Sequence, residues 1–354
     1  MIDSIYLDNY KNFKSLHLHG LKRLNIFSGQ NNTGKTSILE ALFMFYDRGN
    51  PDMLIKHLSL RGMNSFDLNS SSLWQPMFNN FDLSKEITIK IQDSGIEDKA
   101  VYSHENNFNT IITSNNNYTQ QTPSQSSKNI QSESLHTKYF LRSRFAGETN
   151  LFINGGQLSL KVNNLQKAHK EIIFVPSSTK GGGPSDAERL GKIDIEGDID
   201  VISDSLKLIE PRLKGLSIVP QGQQPVIYGD IGLPRKIPIS YMGEGISKLL
   251  STLVTIASSK GGIVCLDEIE NGIHYSLFPK IWEIINNMAK KYKCQLFVTT
   301  HSHDALKGLS DFYSSTGENE LSFTRLDWVK EKIVAKTYDH SMLFAAMDRN
   351  WEVR

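Results

Sequence analysis

The segment Gly29-Gln30-Asn31-Asn32-Thr33-Gly34-Lys35-Thr36-Ser37 constrains the fold more than any other part of the chain. It fits Gly-x-x-x-x-Gly-Lys-Ser/Thr, and its flanks suit the pattern. Leu24-Asn25-Ile26-Phe27-Ser28 reads as a short buried strand, and Ser37 to Phe45 as an apolar helix. A strand–loop–helix setting gives the pattern a mechanism. Loop N–H groups at the positive end of a helix dipole surround phosphate oxygens. In that frame Gly29, Gln30, Asn31, Asn32, Thr33, Gly34 and Ser37 form the cradle. Lys35 brings a point charge to the β/γ-phosphates of a nucleotide, and Thr36 offers a hydroxyl to Mg²⁺. A glycine-rich turn that merely precedes a lysine would not need both flanks.

Composition sets the outer limits. The 354 residues suffice for one large or two medium domains with a real core. A net charge of +1, from 39 basic and 38 acidic residues, gives no support for a broad nucleic-acid face. DNA is therefore a partner only through a local patch. Cys265 and Cys294 are the only cysteines, and both sit in apolar runs, which points to core packing. Met1 to Leu7 contains Asp3 and begins a strand-like alternation, unlike a signal peptide. No stretch reaches the roughly 18 apolar residues of a membrane span. These features imply a soluble, cytoplasmic chain without a membrane partner.

Along the chain, short strands are expected around Ile5, Leu16 to Leu18 and Leu24 to Phe27, joined by polar turns. The helix after the loop stops near Gly49-Asn50-Pro51. Residues 86–92 alternate polar and apolar, as a strand with one solvated face does. Ser114 to Ser134 is nearly all Asn, Gln, Ser and Thr, and reads as an exposed loop within a β-rich lobe. Further strands are expected near Phe152, Leu158 to Val162 and Ile172 to Val175. Gly181-Gly182-Gly183-Pro184 reads as a flexible joint, and Ile199 to Ile209 as a helix ended by Pro211. No repeat recurs at a fixed period. The expected division is an N-terminal head part (1–85), a β-rich and helical insert (86–236) and a C-terminal head part (237–354).

Three later motifs complete the site. Gly262 to Leu266 is an apolar strand that ends in Asp267-Glu268. It would deliver Asp267 to the Mg²⁺ held by Thr36, and Glu268 to the attacking water. The alternative for Glu268 is an exposed acid at a strand end. Leu296 to Thr300 is a second buried strand, ending in His301, which would face the γ-phosphate. Finally, Ser240-Tyr241-Met242-Gly243-Glu244-Gly245 leads into a helix from Ile246 to Ala257. Glycines at a helix start let backbone approach an anion. The spacing sets Gly243, Glu244 and Gly245 far from their own loop, so their target is a nucleotide on another subunit.

In this order the motifs resemble the ABC-type ATPase head, and within that group the stand-alone ATPases related to the OLD (overcoming lysogenization defect), RecF and SMC proteins. The opening Leu7-Asp8-Asn9-Tyr10-Lys11-Asn12-Phe13-Lys14, the run Leu266 to His274, Thr299-Thr300-His301-Ser302 and the tail Trp351-Glu352-Val353-Arg354 add to the likeness. The resemblance implies an α/β fold: a P-loop NTPase head with a mixed sheet flanked by helices and an inserted β-rich and helical lobe. It implies Gln75 as a lid residue sensing Mg²⁺ and γ-phosphate, although Trp74 and Phe78 equally suit a core anchor. Lys11 and Asn12 would touch the nucleotide, and Asn271 to His274 would face a partner subunit. One departure is clear: Gly243 occupies the position of the usual signature serine, with Ser240 three residues earlier. That argues against a membrane-transporter subunit.

The resemblance implies an ATP-dependent homodimer that acts as a switch beside anti-phage or DNA-maintenance systems, with a nuclease or toxin as effector. The stretch after His301 is too short for an appended nuclease domain, so the effector is expected to be a separate polypeptide. The acidic run Asp194 to Asp200 contains an Asp-x-Asp pattern but reads as a solvated loop. An ATP-locked scaffold and a RecF-like DNA clamp are the alternatives. The dense basic run Lys290-Lys291-Tyr292-Lys293 reads as a helix end.

Overall fold

The computed structural model describes residues 1–48, 50, 73–107, 132–154, 157–317, 320–338, 342, 343 and 345. Residues 114–131 of the polar stretch and the tail 351–354 lie outside these. Ser132 to Ser134, read as loop, instead open a strand.

A six-stranded sheet organises the chain. Its order is β16 (Lys332–Tyr338), β15 (Leu321–Val329), β3 (Leu24–Gly29), β14 (Gln295–Thr299), β13 (Ile263–Leu266) and β9 (Ile172–Val175). From β15 to β9 the strands are parallel, and β16 joins antiparallel at the edge. All residues of β3, β13 and β14 are buried, which explains their unbroken apolar character. Alternate side chains feed two cores on opposite faces. Leu24, Ile26, Val264, Leu266, Leu296 and Val298 pack on one side, and Phe27, Ile263, Cys265 and Phe297 on the other.

The first face is covered by α2 (Pro184–Ile195), α3 (Ile199–Lys207), α4 (Glu244–Ser258), α5 (Phe278–Lys291) and α6 (His303–Thr316). The second is covered by α1 (Lys35–Tyr46) and a seven-stranded antiparallel sheet. That sheet runs β2 (Phe13–His19), β1 (Ile2–Tyr10), β4 (Ile87–Asp93), β5 (Ile96–Asn107), β6 (Ser132–Leu141), β7 (Arg144–Asn154) and β8 (Gln157–Asn163). In β4, Ile87, Ile89 and Ile91 are buried, while the residues between them are partly exposed, so the alternation has its physical cause in a one-sided core. A small sheet of β10 (Gly215–Gln221), β11 (Gln224–Asp230) and β12 (Ile237–Pro238) completes the molecule.

Strand pairing crosses both expected domain boundaries: β1 pairs with β4, and β9 with β13. The expected joint at Gly181 to Gly183 is a packed corner instead. A Cβ on Gly181 would lie 2.0 Å from the Ser247 carbonyl oxygen, so α4 presses directly on this backbone. In the acidic run, Glu196 pairs with Lys260 and Asp198 with Lys291, while Tyr292 also donates to Asp198. These acids neutralise lysines, one of them from the dense basic run. Both cysteines are buried and unpaired to each other. No described helix is long and apolar enough to cross a membrane.

Candidate nucleotide site

The parallel strands β3, β14 and β13 are neighbours, so their C-terminal ends bring Gly29, His301 and Asp267 to one edge of the sheet. That edge is where open α/β sheets bind ligands. The loop after β3 turns into α1 at Gly34, the residue before the helix, with φ 86°. A Cβ there would sit 2.4 Å from Phe13 Cζ, so both conformation and space demand glycine. Lys35 is buried and folds back over the loop. Its Nζ donates to the Gly29 carbonyl at 2.7 Å and the Gln30 carbonyl at 3.0 Å. Burial pulls this ammonium below the usual lysine range, while Glu270, Glu268 and Asp267 pull the other way.

Across the sheet edge, Thr36 Oγ1 donates to Asp267 Oδ1 at 3.0 Å, and Thr299 Oγ1 donates to the same oxygen at 2.6 Å. Burial raises the Asp267 carboxyl above its usual range; the two hydroxyls oppose this, and Glu268 and Glu40 add to it. A buried carboxylate that shares its oxygen with a hydroxyl, among further acids, suits a hard divalent cation such as Mg²⁺. The donor set therefore fits the expected metal. Thr36 and Asp267 are the groups that would hold it.

Glu268 stands at φ 47°, in the left-handed region. Its backbone is fixed on both sides. The N–H donates to Thr299 Oγ1 at 2.9 Å, and the carbonyl accepts from Lys248 Nζ at 2.7 Å. Asn271 Nδ2 donates to its Oε2 at 3.0 Å, and more than a third of the side chain reaches solvent. His301 Nδ1 lies 2.9 Å from Glu270 Oε1 and 3.8 Å from Glu268 Oε1, and the His301 N–H donates to Glu270 at 2.7 Å. Glu270 Oε2 is buried with no hydrogen-bond partner among the described residues.

The resemblance-based positions fare differently. Lys11 Nζ is held by the fully buried Glu40 at 2.5 Å, so the charge expected at the nucleotide is matched inside the protein. Asn12 Nδ2 does reach the loop, donating to the Asn32 carbonyl at 3.0 Å and to Asn32 Oδ1 at 3.2 Å. Gln75 begins a short 3-10 turn, Gln75–Met77, directly after Trp74. Trp74 and Phe78 are core residues, and no hydrogen bond joins Gln75 to Thr36 or Asp267 among the described residues.

Gly243 precedes α4 and, like Glu244, is exposed. A Cβ on Gly245 would meet the Gly272 carbonyl oxygen at 2.7 Å, so the glycine turn packs flat on the turn Asn271 to His274. Beside them, Tyr241 and Tyr275 are 80% and 62% exposed. No hydrogen bond or ion pair links this surface to the loop at 29–36 among the described residues.

Four participants were missed in sequence: Thr299, Glu270, Glu40 and Lys248. Two had a visible signal, a charge within an apolar helical run: Glu40 in Ile38-Leu39-Glu40-Ala41-Leu42 and Lys248 in Ile246-Ser247-Lys248-Leu249-Leu250. Burial lowers the Lys248 ammonium, against the pull of Glu270, Glu268 and Asp267. Replacing Lys248 with Met leaves the Glu268 carbonyl without its charged donor. The expected result is a roughly tenfold to hundredfold lower kcat with little change in nucleotide affinity. Phosphate release and calorimetric titration separate the two quantities, and an unchanged kcat would remove Lys248 from the site.

Comparison with known proteins places this geometry in a family. The sequence profile described as "AAA domain, putative AbiEii toxin, Type IV TA system" matches residues 24–306, which include the loop, both acids and His301. A Helicobacter pylori protein named ATP/GTP phosphatase is 25% identical over 332 residues, covering 87% of each chain. RecF of Rickettsia prowazekii is 47% identical over 45 residues, 13% of this chain and 12% of RecF. Among solved structures, an SMC head bound to the C-terminal winged-helix domain of ScpA aligns over 98% of this chain and 99% of its own, at 12% identity and a TM-score of 0.49. The chain belongs to the AAA-domain family described by that profile.

Proposed function

We propose that the chain binds ATP with Mg²⁺, hydrolyses it, and uses the nucleotide state to control its own dimerisation. The observation that carries this reading is the hydrogen bond from Thr36 to Asp267 with Glu268 next in sequence. In this scheme Lys35 exchanges the carbonyls of Gly29 and Gln30 for β/γ-phosphate oxygens. Mg²⁺, when bound, neutralises charge on those oxygens. Glu268 orients and deprotonates the attacking water, its backbone held by Thr299 and Lys248. His301, oriented by Glu270, faces the γ-phosphate. The exposed face of Gly243 to Gly245, Tyr241 and Tyr275 meets the nucleotide on a second copy. A separately encoded effector, a nuclease or toxin of an anti-phage system, reads the state of the dimer. The family's description, which names a toxin and a type IV TA system, supports this setting.

Sedimentation velocity tests the self-association. With Mg²⁺ and a non-hydrolysable ATP analogue the chain is expected to sediment as a dimer, and with ADP as a monomer. The same species under both conditions would contradict a nucleotide-gated dimer.

A further inference from the structure

The far end of the antiparallel sheet holds a cavity of about 890 Å³ that the nucleotide site does not use. It opens between the β4–β5 turn, the β6–β7 turn and the segment Gln166 to Lys170. One wall is apolar, formed by Ile96, Leu141 and Phe145, with Phe145 54% exposed. Arg142 and Arg144 line it from the β6–β7 hairpin. Both side chains are exposed, and neither has an ion pair or ring contact among the described residues. The carboxylate of Asp93 does not serve them, since it is occupied by the Met1 amine, His169 and Lys170.

The hairpin that carries these arginines is strained. Leu141 pairs with Arg144, which leaves a two-residue turn in which Arg142 has φ 50° and Ser143 φ 61°. Such turns favour Asn-Gly, because two residues must enter the left-handed region. Here the N–H of Arg142 is held instead by Asp98, a buried carboxylate, at 3.0 Å. The turn thus places a guanidinium at the cavity mouth against local preference. Strain of this kind gathers at binding sites.

We propose that this groove docks an acidic peptide segment of a partner protein, with apolar side chains between its carboxylates. Guanidinium groups bind carboxylates in bidentate fashion, and the two arginines have no such partner among the described residues. The wall of Ile96, Leu141 and Phe145 takes the apolar side chains. Two free arginines on a chain of net charge +1 are too few for the counterion release that drives polynucleotide binding. The chain's own connection at 108–131 is excluded by charge, since it contains no Asp or Glu. The proposal does not rest on the ATPase reading.

The test is a selection of random dodecapeptides displayed on phage, against the wild-type chain without nucleotide, with counter-selection on R142E/R144E. The two proteins are first matched by thermal melting. Enriched peptides are expected to combine Asp or Glu with Leu, Ile or Phe. A synthetic consensus peptide should bind the double variant at least about tenfold more weakly by fluorescence anisotropy, and its Glu→Gln version equally so. Enrichment without acids, equal binding to the double variant, or tighter binding of a single-stranded DNA decamer than of the consensus peptide would each overturn it.

Discussion

Replacing Lys35 with alanine is expected to abolish ATP turnover and to weaken nucleotide binding by about two orders of magnitude or more. The ammonium lies buried within the loop, held only by the Gly29 and Gln30 carbonyls among the loop atoms it touches. Those carbonyls attract it but repel phosphate, so without the lysine the loop presents oxygen where it had presented charge. A charge-assisted hydrogen bond contributes roughly 1.5–3 kcal/mol, and this ammonium makes more than one to a triphosphate. The N–H groups of the loop and the dipole of α1 remain in Lys35→Ala, but they are a smaller and more diffuse charge. Arginine is not expected to restore the site. Its planar fork is bulkier than an ammonium in a loop where Gly34 already stands against Phe13. Calorimetric titration with ATP and continuous phosphate release measure the two effects. Undiminished turnover in Lys35→Ala would retire the assignment of the loop.

The second large effect is expected for Glu268→Gln. The substitution keeps shape and hydrogen bonding but removes the base, so kcat should fall by roughly 10²–10⁴. Nucleotide affinity should persist, because Thr36, Asp267 and Lys35 are untouched. The backbone of residue 268 is fixed by Thr299 and Lys248, not by its own carboxylate, so the variant should keep its geometry. An ATP-bound dimer should then accumulate, visible by size exclusion where wild type returns to monomer as ATP is consumed. Equal inertness in wild type and variant, with ATP retained in both, would favour a locked scaffold over a turning enzyme.

How much of this was legible in sequence depended on how local each cause was. The loop at 29–37 and the acids after the β13 strand announce themselves because neighbours in sequence set their chemistry. The pleat of β4 is legible for the same reason: Ile87, Ile89 and Ile91 alternate with polar residues beside one core. Sheet membership is not local. β1, β2 and β3 look alike as short strands, yet β1 and β2 join the antiparallel sheet while β3 enters the centre of the parallel one. Thr299 and Lys248 reach Glu268 only because β14 lies between β3 and β13 and α4 packs across their ends. No spacing rule in one sequence states that order. Glycines misled for a related reason. Gly181 to Gly183 suggested freedom, but at Gly181 the absent Cβ serves the close approach of α4.

The central claim is that one triphosphate and one Mg²⁺ are held between the Thr36 loop and Asp267 and closed over by a second copy. A crystal structure of Glu268→Gln with ATP and Mg²⁺ tests it most directly. The metal should lie about 2.1 Å from Thr36 Oγ1, with the γ-phosphate facing Gly243 to Gly245 of the partner subunit. A nucleotide bound away from residues 29–36, or a lone chain whose glycine turn faces only solvent, would contradict the account.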